Sequence, residues 1–178
     1  MLACSAANGI VVGLALWRWG WSSAATAASA LFGVLVVVCG VDLAHRRIPD
    51  RVTTPLTVAT LAVTVGAAWS TGRSATLVGG IGGAFTFWAL LGVVHLVAPA
   101  GLGRGDVKLA PSLGAAVGLE AGDLPGAVGA VVGTLAVAAA VGVAIGLVLL
   151  VVRRRNEPYP FGPALAVATV FVLVAPPL

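Results

Sequence analysis

Seven apolar runs separated by short polar breaks organise this chain. They cover residues 2–16, 22–44, 52–70, 74–98, 105–120, 124–152 and 161–177. A helix needs about 20 mostly apolar residues to cross the roughly 30 Å hydrocarbon core of a bilayer. The first, fifth and seventh runs are the short ones. The breaks fall at Arg46–Arg51, Ser70–Ser74, Pro99–Gly105, Glu120–Pro125 and Arg153–Pro160, and none is long enough for a soluble domain. Trp17, Trp19 and Trp21 cluster between the first two runs, where an interfacial aromatic belt is expected. Because backbone polar groups must be satisfied inside lipid, the pattern predicts an all-α, polytopic transmembrane helical bundle. About six to seven helices would span the membrane, with residues 1–178 forming one membrane-embedded domain.

Composition agrees. The chain is 60% hydrophobic and 9% charged, with a mean hydropathy of +1.09. Soluble domains are about 45–50% apolar and about 25% charged. In a soluble protein the net charge of +4 would raise nucleic acid as a partner. Here the cations gather at the ends of apolar runs, and no basic groove with stacking aromatics is present, which excludes that class. With seven spans, the breaks after runs two, four and six share one side. They hold Arg46, Arg47, Arg51, Arg104, Lys108, Arg153, Arg154 and Arg155, against Arg18 and Arg73 opposite. The positive-inside rule then puts those eight in the cytoplasm. Neither Cys4 and Cys39 nor His45 and His95 has metal-ligand spacing, so no metal or cofactor is expected. The N-terminus lacks the charged region and cleavage site of a signal peptide, and no removable signal is expected. Glycines 79, 80, 82 and 83, and glycines 126, 129, 133, 142 and 146, read as small-residue positions where helices approach closely.

Two aspartates stand out against this background. Asp42 closes the second run and Asp106 opens the fifth. A carboxylate at membrane depth costs several kcal/mol, so it points to function. The charge sorting places both at the same side of the bilayer, where they can meet if the second and fifth segments are neighbours. Two carboxyls about 3 Å apart share one proton, and such a pair can activate water while polarising a peptide carbonyl. Each also has a structural reading: Asp106 as a helix cap, Asp42 as an ion-pair partner of Arg46 one turn on. Gly103 and Gly105 flank Asp106, and glycine permits close backbone approach by an extended substrate. Pro111 lies inside the helix that Asp106 opens, where it removes one backbone bond and can kink the helix.

Three segments carry a resemblance. Val41-Asp42-Leu43-Ala44-His45-Arg46-Arg47-Ile48-Pro49-Asp50 resembles the first signature of the type IV prepilin peptidases. Gly103-Arg104-Gly105-Asp106-Val107-Lys108-Leu109 is similar to their Gly-x-Gly-Asp signature, and Pro160-Phe161-Gly162-Pro163 to their C-terminal segment. The resemblance implies an intramembrane aspartic endopeptidase of the bacterial inner membrane. It would remove the short basic leader of prepilins or pseudopilins at the cytoplasmic face, typically after a glycine, leaving a hydrophobic N-terminal helix. Asp42 and Asp106 would be the catalytic pair. Gly103, Gly105, Ile48, Pro49, Pro160, Phe161, Gly162 and Pro163 would shape the site, and Lys108 would tune the pair or hold a substrate carbonyl. No metal or cofactor is implied for the cleavage. Larger members carry a domain with paired CxxC zinc motifs associated with N-methylation. This sequence lacks those motifs, so peptidase activity without methyltransferase activity is expected. Three other readings compete: a different Gly-x-Gly-Asp intramembrane protease, a proton-coupled transporter or channel subunit using the aspartates as a relay, and a structural membrane protein such as a pilus platform component.

Overall fold

The computed structural model describes residues 2–45, 50–99, 102–153 and 161–175. They form α1 (Leu2–Trp19), α2 (Ser23–His45), α3 (Asp50–Thr71), α4 (Ser74–Val97), α5 (Arg104–Ala121), α6 (Leu124–Arg153) and α7 (Gly162–Val174). The seven apolar runs thus become seven helices. Among the described residues, α2, α3, α4 and α6 are long and apolar enough to cross a membrane, and α7 is a shorter apolar helix.

The centre of the bundle is α5, although it carries Arg104, Asp106, Lys108 and Glu120. It packs against α3, α4, α6 and α7, and half of its 18 residues are buried. The four crossing helices instead turn most of their apolar surface outward; Val128, Val132, Val143 and Leu147 of α6 are examples. In lipid this costs nothing, because acyl chains are as apolar as the side chains they touch. Close backbone approach is what remains to select a neighbour.

Glycine supplies that approach along α4 toward each of its three neighbours. Gly79 faces Gly118 of α5, and Gly83 faces Gly114. Gly80 faces Thr64 of α3, and Gly82 faces Leu124 of α6. A Cβ on Gly83 would run into the Gly114 carbonyl oxygen, and one on Gly114 into that of Gly83. The glycines of α6 differ: Gly129, Gly133 and Gly146 have nothing within 4 Å of an added Cβ. Only some of that second stripe is therefore packing surface. Gly83→Ala is expected to cost about 1–3 kcal/mol through backbone overpacking. Gly133→Ala should be neutral or gain up to about 1 kcal/mol from reduced backbone freedom. Thermal unfolding of the two variants in detergent checks this contrast.

Two ion pairs mark opposite ends of α5. Lys108 Nζ lies 2.7 Å from Asp50 at the start of α3, and Arg18 of α1 lies 2.9 Å from Glu120. Lys108 and Asp50 therefore lie at one end of α5, and Arg18 and Glu120 at the other. At its far end α5 stops at Gly122, whose left-handed backbone (φ 79°) lets its N–H cap the Gly118 carbonyl. The helix runs unbroken through Pro111.

Candidate active site

Three inward-facing stripes meet at one end of the bundle. On α2 the buried positions run Leu31, Leu35, Val38 and Asp42, the three- and four-residue spacing of one helix face. On α5 they run Asp106, Leu109, Leu113 and Val117, and on α7 Gly162, Leu165, Thr169 and Leu173. Each helix thus continues its core face directly into Asp42, Asp106 or Gly162. The aspartates retain only 6% and 5% of their exposure.

The two carboxylates converge on Gly162. A Cβ at that glycine would lie 2.6 Å from Asp42 Oδ2 and 3.3 Å from Asp106 Oδ1. Backbones of α2 and α5 do not themselves touch among the described residues; α7 contacts both. The aspartates therefore meet by a different route from the direct α2–α5 contact the sequence invites. The first turn of α7 enters between the two helices, and its missing side chain leaves room for both carboxylates.

Asp106 has two unlike oxygens. It is the third residue of α5, and its backbone N–H donates to the Gly103 carbonyl at 3.1 Å. Its Oδ2 lies against Gly103, close enough that a Cβ there would sit 3.3 Å away. This is the cap-like role expected of an acidic residue in a first helical turn. Oδ1 is buried and has no hydrogen-bond partner. A buried carboxylate oxygen without a partner costs a few kcal/mol, so its survival points to use by a ligand or a proton. It is also the oxygen that faces Gly162 and Asp42.

The remaining site candidates divide. Gly103 caps α5 in an extended conformation, and Gly105 lies in its first turn. Phe161 caps α7 and lays its ring against Gly142 of α6, while Pro163 occupies the first turn, where its missing N–H breaks no helical bond. Lys108 is paired with α3: Nζ donates to both carboxylate oxygens of Asp50 at 2.7 Å. That bridge is half exposed, and Lys108→Met is expected to cost at most about 1 kcal/mol in thermal unfolding. Ile48, Pro49 and Pro160 lie outside the described residues. A contact beside the site also had no signal in the sequence. His95 Nδ1, in the last turn of α4, donates to the Leu102 carbonyl at 2.8 Å, immediately before Gly103.

Among the described residues no cluster of His, Cys, Asp and Glu could hold a metal ion. The chemistry this geometry supports is proton exchange between two buried carboxyls and a water or carbonyl between them.

Comparisons with known proteins bear on these same residues. A family model described as the type IV leader peptidase family matches residues 29–152, which include Asp42 and Asp106 and end before Gly162. The chain is 37% identical over 163 residues to a prepilin leader peptidase/N-methyltransferase of Burkholderia pseudomallei, covering 90% of this chain and 50% of that protein. A protein of the same name from Xanthomonas campestris is 32% identical over 160 residues, covering 86% and 51%. One from Neisseria gonorrhoeae is 30% identical over 171 residues, covering 94% and 55%. The chain spans about half the length of the curated relatives it matches. No solved structure matches it.

Proposed function

Because the chain belongs to the type IV leader peptidase family, we propose that it is an aspartic endopeptidase acting on prepilins or pseudopilins, with Asp42 and Asp106 as its catalytic pair. It works in the bacterial inner membrane and cuts the leader at the cytoplasmic face. One observation carries the reading: Asp42 Oδ2 and Asp106 Oδ1, 64 positions apart in sequence, reach the same point over Gly162.

The pair holds one proton, because two ions so close and so poorly hydrated repel strongly. The ionised carboxylate takes a proton from water as the water attacks the scissile carbonyl. The protonated carboxyl donates to the carbonyl oxygen. Collapse of the resulting gem-diol breaks the C–N bond: one carboxyl gives its proton to the leaving amine nitrogen while the other, ionised, takes the proton of a diol hydroxyl, so the pair again holds one proton. The two residues titrate as one unit, so the roles of base and acid belong to the pair.

The surroundings favour a membrane-borne substrate. A wholly apolar groove of about 680 Å³ runs between α1, α2 and α7. It starts at Cys39 and Gly40, just before Asp42, and follows α7 from Ala166 to Ala175. An apolar segment following the scissile bond suits it. The positive charges around the site, Arg51, Arg104 and Lys108 among them, sit where the positive-inside rule expects the cytoplasmic face.

The test uses the full chain in liposomes with a synthetic precursor: a short basic leader ending in glycine, followed by a hydrophobic helix. Mass spectrometry of the products should show a single cut after that glycine. An intact precursor, together with proton flux that depends on Asp42, would instead support the relay reading.

A further inference from the structure

We infer that His95 is a positioning residue for the catalytic pair, holding the Leu102–Gly103 turn so that Asp106 presents its free oxygen to Asp42. The inference rests on the proposed role of Asp106, and it concerns a residue outside both aspartate signatures.

The geometry forms a short relay of contacts. His95 lies in the last turn of α4. Its Nδ1–H donates to the Leu102 carbonyl at 2.8 Å, spanning the connection between α4 and α5. A carbonyl oxygen only accepts, so this contact fixes the proton on Nδ1. Leu102 is buried, at 5% exposure, and belongs to the core cluster. Gly103 follows it as the cap of α5, and its carbonyl receives the Asp106 N–H. The same glycine lies against Asp106 Oδ2, and Oδ1 is the buried oxygen left without a partner.

Among the described residues, His95 is the one side chain outside α5 that hydrogen-bonds the α4–α5 connection. The other bonds there are backbone bonds within the helix ends, Ala98 to Val94 and Asp106 to Gly103. Without the imidazole, Leu102 would keep its apolar packing but lose the contact that fixes its peptide plane. The orientation of that plane sets where the next residue, Gly103, presents its own N–H and carbonyl. Asp106 would keep its place in the helix while the direction of its carboxylate loosened. The contact also survives protonation of the ring, since an imidazolium still donates from Nδ1. His95 thus acts through the turn rather than as an acid or base.

The side-chain geometry supplies a sharp test. The Nδ2 of asparagine falls close to the position of histidine Nδ1 and also donates, whereas glutamine reaches toward the Nε2 position. His95→Leu, His95→Asn and His95→Gln are compared in the full chain in liposomes, on the synthetic precursor described above. His95→Leu and His95→Gln should lower kcat about tenfold or more with KM within about twofold, because misplacing a reacting group by 1 Å can cost about 100-fold. His95→Asn should stay within about threefold of wild type. Thermal unfolding should be nearly the same for all, which separates positioning from general destabilisation.

A second measurement does not depend on cleavage. Amide hydrogen exchange over residues 102–107 should quicken in His95→Leu and return to the wild-type rate in His95→Asn, with the interior of α5 unchanged. Equal kcat in all variants, or an asparagine variant as impaired as the leucine one, overturns the inference and leaves the proposed function standing. Unchanged exchange in His95→Leu overturns it as well. A wild-type protein that never cleaves the precursor sinks the proposed function instead, and the exchange result still decides whether His95 anchors the turn.

Discussion

Asp42→Asn and Asp106→Asn should each slow leader cleavage by about 10²–10⁴-fold, the usual contribution of a positioned acid or base. Asparagine keeps the size and most of the contacts of aspartate but cannot exchange a proton. The packing that places these residues should therefore survive: Asp42 continues the Leu35–Val38 face of α2, and Asp106 continues the Leu109–Leu113 face of α5. Stability should hold or rise slightly, because each change removes one of two crowded carboxyls from a site with 5–6% exposure. Cleavage rates on the synthetic precursor, set beside thermal unfolding of the same preparations, measure both effects. Loss of activity with loss of fold would mean that the aspartates are structural.

Gly162→Ala should cost about 100-fold in kcat, since a 1 Å displacement of a reacting group is worth about that much. The added methyl would lie 2.6 Å from Asp42 Oδ2 and 3.3 Å from Asp106 Oδ1. It therefore needs the volume in which the carboxyls meet. The backbone there raises no objection, because Gly162 is the first residue of α7 and its φ is not in the left-handed region. Alanine is in fact the better helix former. A selective loss of kcat, with little change in thermal unfolding, is the expected signature. Gly133→Ala on α6, where an added Cβ meets nothing within 4 Å, is the control for glycine substitution in general.

The helices were legible because lipid demands long apolar runs, and these begin and end close to the helix bounds observed. The inward position of the aspartates was legible too, since Asp42 and Asp106 fall in phase with the leucines and valines of their own helices. Their meeting was harder to read. Periodicity places a residue on a face, but it does not say which helix that face meets. The sequence invites direct contact between the second and fifth segments, whereas α7 stands between them and joins them through a glycine. The resemblance marked Gly162 as shaping the site, and the structure adds what it shapes. Glycine stripes carry a similar ambiguity. Gly79, Gly80, Gly82 and Gly83 of α4 each have a backbone or side chain against them, while Gly129 and Gly133 of α6 have open space. The bonds from Lys108 to Asp50 and from His95 to Leu102 had no sequence signal, because the first depends on α3 and α5 being neighbours and the second on how the α4–α5 connection folds back.

The central claim is that Asp42 and Asp106 act as one unit. A double-mutant cycle on leader cleavage, with wild type, Asp42→Asn, Asp106→Asn and the double variant in the same liposomes, tests it most directly. Residues that share a proton lose their function together, so the double variant should cleave no more slowly than the slower single variant. Losses that multiply, or a single variant that cleaves at the wild-type rate, would contradict a shared catalytic pair.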